Sequence, residues 1–384
     1  MGKQSSEETQ PEDLKLAQIE EQSLLDEAEE GSLLPADPVE AAEAAGLYYV
    51  MDGEPGFRRE QQGESFVYLD SKGKPVTSPK QLARLKALVI PPAWSEVWIC
   101  SRANGHIQAT GRDKKGRKQY RYHEAWNSIR SQTKFSRMIA FGEALPEIRA
   151  RVNADLRRQR LSHEKVVALV LRLMEITLIR VGNQEYARSN SSYGLTTLLD
   201  DHITVNGSRI AMEFVGKRGK HFEVDLRDRR LSALVKRCQD LPGQRLFQYV
   251  DENGACCQSV TSGDVNTYLR QTTGQEFSAK DFRTWGGTVH AAVALYQQGP
   301  AEDEKKAEKQ IVQVVKQVAE VLGNTPAICR AYYIHPVVLD AYRDGSLFAI
   351  LSHTLHQAQE PEETGLTVDE QAVLRLLRER AAVT

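Results

Sequence analysis

No stretch of this 384-residue sequence strings together the roughly 18 apolar residues that a membrane-crossing helix requires, so the chain reads as a soluble protein. Its opening residues, Met1 to Asp13, have neither the basic start nor the apolar core of a secretion signal, which places it in the cytoplasm. The five cysteines (Cys100, Cys238, Cys256, Cys257 and Cys329) are odd in number and scattered, and none forms a CxxC pair. Neither a zinc site nor a disulfide framework is indicated. A Walker loop, an HExxH pair and an acidic cluster able to hold catalytic metal are also missing, so the commonest routes to phosphate chemistry are removed and no cofactor is expected. There is no internal repeat.

What is present is a lopsided distribution of charge. The net charge of −2 hides an acidic N-terminal stretch, Met1 to Ala45, with 2 basic and 13 acidic residues, and a C-terminal stretch, Gln359 to Thr384, with 3 and 6. The body between them, Gly46 to Ala358, holds the other 45 basic and 33 acidic residues and is net +12. A basic body with an acidic tail suits a protein that binds a polyanion, although solvated surfaces carry such imbalance too. At 41% hydrophobic residues the chain is long enough for two domains plus tails.

Residues 1 to about 45, rich in Glu, Gln and Ala, read as a largely disordered arm with transient helix near Leu14 to Glu30. From Gly46 the pattern becomes that of a small antiparallel β-rich domain. Phe66 to Leu69 is a strand ending at the turn Asp70 to Gly73. Ser78-Pro79 opens a short helix through Leu82, Leu85 and Leu88. Val97 to Cys100 and His106 to Ala109 flank Asn104-Gly105 as a hairpin. Within GRDKKGRKQYRYH (Gly111 to His123), an extended Lys118 to Tyr122 puts Lys118, Tyr120 and Tyr122 on one face, a cation and two aromatics able to lie along a sugar–phosphate backbone. A solvated hairpin with its tyrosines turned into a core fits the same pattern.

After about Arg130 the spacing turns helical, which sets the domains at 46–130 and 131–358, with an amphipathic helix at Thr367 to Arg380 in the tail 359–384. Ser162 caps a helix whose apolar positions Val166, Leu169, Val170, Leu173, Met174 and Ile176 share a face, and which ends near Arg180 to Gly182. Leu195 to Leu226 reads as a small antiparallel sheet with turns at Asn206-Gly207 and at Gly216 to Lys220, the latter setting Lys217 on an exposed tip. Helices follow at Asp264 to Gln271, Thr284 to Gln298 and Glu308 to Leu322, the last closed by Gly323. Thr325-Pro326 then starts a helix of about two to three turns, bounded by Pro336, that carries Tyr332 and Tyr333. A tyrosine there can be held beside a phosphate, although by itself a Tyr pair on a helix far more often packs in a core, and only the rest of the chain decides between the two.

The candidates for phosphate chemistry are Arg180, Lys217, Arg283, Asn324 and Tyr333, each weak alone. The blocks around them carry more. IPPAW (Ile90 to Trp94), GHIQATGRDKKGRKQYRYH (Gly105 to His123), IRVGN (Ile179 to Asn183), YGLTTL (Tyr193 to Leu198), FVGKRGK (Phe214 to Lys220), AKDFRTW (Ala279 to Trp285) and GNTPAICRAYYIHP (Gly323 to Pro336) follow in one order. In that order they resemble the poxvirus-like bacterial type IB DNA topoisomerases, from about Gly46 to about Ala358.

The resemblance implies an α+β protein in which a β-rich N-terminal domain precedes a larger, mainly helical catalytic domain with a small β-hairpin sheet. It implies double-stranded DNA as partner, a nucleoid-associated location and a monomer that clamps its substrate. Tyr333, nine residues beyond Asn324, is then the nucleophile that forms a 3′-phosphotyrosyl bond, with resealing that needs neither ATP nor metal. Arg180 and Arg283 match the arginines that hold the nonbridging oxygens, and Lys217 the general acid for the departing 5′-oxygen. Asn324 stands where the viral pattern has histidine, and an amide is better read there as an oxyanion contact than as an acid. Gln119, Tyr120 and Tyr122 match DNA contacts of the first domain, joined by Lys118 from the strip, and Tyr186 and Lys280 lie on the catalytic side. Glu185 replaces a viral basic residue, so the viral site preference is not transferred.

Two other functions fit parts of the pattern. A tyrosine site-specific recombinase uses the same Arg, Lys, Arg and Tyr chemistry, but favours HxxR where this chain has Lys280-Asp281-Phe282-Arg283. A non-catalytic DNA-binding protein would not need all five positions to hold acceptable residues.

Overall fold

The computed structural model describes residues 38–63, 65–114, 116–250, 257–357 and 365–382, except the side chains of 130–133, 189, 218 and 355–357. The expected helix near Leu14 to Glu30 lies outside the described residues. Among those described, no helix is long and apolar enough to cross a membrane. The chain divides into two compact units, Met1–Ser136 and Arg137–Thr384.

The first unit starts with α1 (Pro38–Ala44), β1 (Gly56–Gln62), β2 (Ser65–Leu69), α2 (Pro79–Ala87), β3 (Ser95–Cys100), β4 (Ile107–Arg112) and β5 (Lys118–Tyr122). The strands form one antiparallel sheet in the order β2-β1-β3-β4-β5. Phe57, Leu85, Ile90, Trp94, Val97, Ile99 and Ala109 make its core. The IPPAW block is held by a buried arginine: Arg59 donates to the carbonyls of Ile90 (2.8 Å), Pro91 (2.8 Å) and Trp94 (2.9 Å). Helix α1 lies at the end of the stretch expected to be largely disordered, and the part of that stretch before it lies outside the described residues. Ala42 is fully buried with Leu47 and Trp126, which gives the end of the acidic stretch an apolar surface to fold upon.

The long helix α3 (Glu124–Leu156) contains the division between the units and carries Pro146 in its interior. The second unit continues with α4 (His163–Thr177), α5 (Gln184–Asn190), a three-stranded antiparallel sheet of β6 (Ile203–Asn206), β7 (Arg209–Val215) and β8 (His221–Arg227), and α6 (Arg229–Gln239). The pair β9 (Gln248–Val250) and β10 (Cys257–Ser259) precedes α7 (Ser262–Thr273), α8 (Ala279–Gln298), α9 (Glu304–Leu322), α10 (Pro326–Tyr332), α11 (Pro336–Arg343), α12 (Ser346–Gln357) and α13 (Val368–Ala381).

This is the α+β architecture expected, a sheet first and mostly helix after. Three helices start earlier than the apolar spacing suggests, because caps set their ends. At α7, Thr261 is the N-cap and Asp264 is the third helical residue, its carboxylate accepting from the Thr261 N–H at 2.8 Å. Asp281 does the same for Ser278 at the start of α8, which brings Arg283 inside the helix rather than ahead of it. Asp303 caps α9 through the Lys306 N–H at 2.7 Å.

Candidate active site

Helix α4 stops short of Arg180. Leu178 takes the left-handed conformation (φ 54°) and its N–H closes on the Met174 carbonyl at 2.8 Å. For a leucine this costs about 1–2 kcal/mol, so packing must hold it. Its side chain fills the hollow at Gly286 on α8, where a Cβ would sit 2.6 Å from Leu178 Cδ2. The chain beyond it is braced by the YGLTTL block. Leu195 N–H donates to Arg180 O (2.9 Å), Thr196 N–H to Val181 O (2.7 Å), and Gly194 approaches so closely that a Cβ there would lie 2.6 Å from Arg180 O. Arg180 therefore projects from the non-helical segment beyond α4, held by these bonds, and not from the helix itself.

Arg283 is only 3% exposed. One guanidinium nitrogen donates to the carbonyl of Leu178 and the other to that of Leu322 at 2.7 Å. Both acceptors terminate helices, α4 and α9, where unpaired carbonyls gather partial negative charge. Burying a guanidinium costs several kcal/mol unless its donors are met, and the two helix-end carbonyls offset part of that cost. Its central carbon lies 5.1 Å from the centroid of the Tyr333 ring.

The tyrosine segment follows α9. Gly323 (φ 64°) ends that helix, Thr325 accepts from the Ile328 N–H to start α10, and Tyr333 ends α10 with its N–H on Cys329 O at 2.9 Å. Tyr333 is 5% exposed and Tyr332 half-buried. Its carbonyl lies against α8, where a Cβ on Gly287 would approach to 2.6 Å and where the Thr288 hydroxyl is 3.5 Å away. That hydroxyl also accepts from the His335 N–H at 3.1 Å.

Asn324 meets Arg180 directly, its Oδ1 accepting from Nη2, while Nη1 is 3.5 Å from Gly323 O. Because arginine only donates, the amide oxygen must face it and the NH2 must face away. Asn324 Nδ2 and Arg180 Nε are both buried and have no hydrogen-bond partner among the described residues. Two such donors cost about 1–3 kcal/mol each until an acceptor arrives. An oxyanion supplies one.

Lys217 sits in the tight turn Lys217–Gly219 between β7 and β8. It is half-buried rather than exposed, with Nζ 5.4 Å from the centroid of the Tyr186 ring. The turn is docked by Phe222. This ring occupies the space where a Cβ on Gly216 would lie, 2.6 Å from Cε2, and overlaps the place of a Cβ on Gly323. It thereby joins the lysine hairpin to the turn before Asn324.

In the first unit, Tyr120 and Tyr122 stack on one face of β5 with centroids 5.8 Å apart, and Lys118 Nζ lies 5.4 Å from the Tyr120 centroid. Lys118 is ion-paired with Asp52 at 2.6 Å, and that bond raises its pKa. Burial pushes the Asp52 carboxyl up, but its contacts with Lys118 and Thr110 outweigh burial and leave it below its ordinary value. Gln119, on the other face, is buried and donates to Asp113 at 3.3 Å. Lys280 is half-buried in the first turn of α8, where its carbonyl accepts from Thr284 at 3.3 Å.

Arg180, Arg283, Asn324 and Tyr333 thus converge within the second unit, with Lys217 attached through Phe222 and backed by Tyr186. Phe222, Thr288 and Leu178 have structural parts in this site that the sequence did not flag. One signal was available: Gly286-Gly287 inside a helix costs about 1 kcal/mol per glycine and so marks a close approach.

Residues 123–352 match the family model of the eukaryotic DNA topoisomerase I catalytic core. Residues 65–113 match that of the bacterial DNA topoisomerase IB N-terminal domain. The chain is 32% identical over 301 residues to the DNA topoisomerase 1B of Acanthamoeba polyphaga mimivirus, covering 77% of this chain and 90% of that protein. It is 24% identical over 248 residues to the DNA topoisomerase 1B of Vaccinia virus (strain Copenhagen), covering 64% and 75% respectively. Identity to the DNA topoisomerase 1 of Mycosarcoma maydis is 23% over 194 residues, 45% of this chain and 19% of that one. With a catalytic-core match over more than half its length and a relative above 30% identity that it spans almost entirely, the chain belongs to the type IB DNA topoisomerases.

Proposed function

We propose that the protein relaxes supercoiled double-stranded DNA through a 3′-phosphotyrosyl intermediate. The Tyr333 phenolate, its proton released to solvent, attacks a backbone phosphorus, the bond to the 5′-oxygen breaks, and Lys217 protonates that oxygen as it leaves. The energy of the broken bond is kept in the tyrosyl ester. After the cut strand rotates about the intact one, the 5′-hydroxyl returns its proton to Lys217 and displaces Tyr333, with no ATP or metal consumed. Arg180, Arg283 and the Asn324 amide hold the nonbridging oxygens as charge develops on them. The carrying observation is the pair of buried donors without partners among the described residues, Asn324 Nδ2 and Arg180 Nε, beside an arginine that lies against the Tyr333 ring.

The second unit, on this reading, performs the chemistry, and the first unit contacts DNA through Lys118, Gln119, Tyr120 and Tyr122, with Tyr186 and Lys280 adding contacts near the cut. The net charge of +12 between Gly46 and Ala358 supports a phosphate-following surface. The protein acts as a monomer, in the cytoplasm and on the nucleoid.

Purified protein incubated with supercoiled plasmid in EDTA, without ATP, is expected to yield a ladder of relaxed topoisomers. Tyr333→Phe is expected to bind DNA but form no covalent adduct. Absence of relaxation at every salt concentration would overturn the proposal, and loss of adduct in Tyr332→Phe alone would move the nucleophile by one residue.

A further inference from the structure

Behind the site lies a buried charge network that the chemistry above does not use. Arg149 on α3 donates from Nε to Glu175 on α4 (2.6 Å) and from its two terminal nitrogens to Glu370 on α13 (2.9 and 2.7 Å). Glu370 Oε1 also accepts from the Trp285 indole N–H at 3.1 Å, and Trp285 stands on α8 two residues beyond Arg283. The Trp285 ring is fitted to α3, where a Cβ on Gly142 would come within 2.5 Å of it.

A capping box explains part of Glu370, since Oε2 accepts from the Thr367 N–H at 2.8 Å. It does not explain Oε1, nor why a first-turn glutamate is only 8% exposed. The positions of its partners do. Glu175 lies three residues before Leu178, and Trp285 lies two residues after Arg283 and about 200° round the same helix. The network therefore ties α4 to α8 from behind, at the level where the guanidinium of Arg283 ties α8 to the Leu178 carbonyl in front. Arg283 keeps its place only while the separation of α4, α8 and α9 is held.

We propose that Glu370, presented by α13, is a positioning residue for Arg283: through Arg149 and Trp285 it locks α8 against the end of α4, so that residues 365–382 are needed for the full rate of strand cleavage. The inference rests on reading Arg283 as a phosphate-holding residue. It extends the working site beyond residue 352, where the match to the catalytic-core model ends.

The test compares full-length Trp285→Phe, Glu370→Gln and their double variant with the unaltered protein. Covalent adduct formation is timed at saturating plasmid, and DNA affinity and melting are measured alongside. Each single variant is expected to form adduct about tenfold more slowly or worse, as small misplacements from remote changes do, with DNA affinity unchanged. The double variant is expected to be no slower than the slower single one, because both cut the same tie. Val373→Ala, a fully buried residue of α13 outside the network, controls for lost stability: it is expected to melt lower but keep the rate. Folded Trp285→Phe and Glu370→Gln that match the unaltered rate would sink the inference, as would a Val373→Ala variant slowed to the same degree. Failure of the unaltered protein to form any adduct would instead remove the reading of Arg283 beneath it.

Discussion

On the proposed function, the pocket around Arg283 and the basic strip of β5 both gather cations for a phosphate backbone, yet they hold them in opposite ways. Arg283 is buried and fixed by main-chain carbonyls at two helix ends, which no solvent ion or phosphate readily displaces. Lys118 is 43% exposed and held by one side-chain carboxylate, Asp52, that a phosphate can replace at little cost. The difference separates two tasks. Chemistry needs donors placed before the substrate arrives, since reorganisation at the moment of reaction would be added to the barrier. Contact along a backbone needs charge that can trade one anion for another. On the proposed function, Asp52 stands in for the phosphate that Lys118 would meet.

The contrast is broken most sharply at the arginines. Arg283→Ala and Arg180→Ala are each expected to cost on the order of 3 kcal/mol in the cleavage barrier, a hundredfold or more in adduct formation, with much smaller loss of DNA binding. Arg283→Lys should recover little, because a single ammonium cannot bond the Leu178 and Leu322 carbonyls and still face a phosphate. A lysine variant that restored most of the rate would mean that the two ties to helix ends are incidental and that the pocket is no more rigid than the strip.

Much of this contrast was legible in the sequence, and the reasons for the rest are physical. Alternation at Lys118, Tyr120 and Tyr122 is a local property, and the stacked pair on β5 follows from it. The caps at Ser162, Gly323 and Thr325 are local too, and each marks a helix end in the structure. What escaped was set by contacts distant in the chain. The αL turn at Leu178 depends on Gly286, 108 residues away, and carries Arg180 out of the helix that the apolar spacing extends to it. Lys217 lies half-buried on Tyr186 although its own GKRGK turn reads as exposed. Helix α3 was visible only as a general helical tendency after Arg130, since neither Pro146 nor its apolar spacing marks its length.

A prediction of intermediate size sets the rigid region against pH. Glu370 is pushed up by burial, but the two Arg149 bonds, the Thr367 N–H and the Trp285 indole more than reverse this, so its pKa lies below the ordinary glutamate value. Glu175, ion-paired to both Arg149 and Arg172, is the other carboxylate facing the same guanidinium. A carboxyl with a lowered folded pKa adds stability that is complete above its unfolded pKa of about 4.3 and is lost as pH falls through the folded value. Glu370→Gln should therefore lower unfolding stability by about 2 kcal/mol at pH 7, and the gap to the unaltered protein should narrow below about pH 4. Denaturant unfolding at several pH values reads this directly. A gap that stayed constant down to acid pH would assign the loss to packing and not to the charge.

The smallest effects belong to the strip, and they test its exchangeable character most directly. Lys118→Ala should reduce the slope of log affinity against log salt by about 0.9, the loss of one phosphate contact, while leaving adduct formation at saturating DNA unchanged. Asp52→Asn should act the other way, tightening binding severalfold at low salt because Lys118 no longer trades a carboxylate for a phosphate. Its stability should shift by less than about 1 kcal/mol, as expected of an ion pair open to solvent. A shared salt titration of both variants is decisive, since the exchange model requires opposite signs. If Asp52→Asn weakened binding as Lys118→Ala does, the carboxylate would be orienting the lysine toward DNA, and the strip would be pre-organised after the fashion of the pocket.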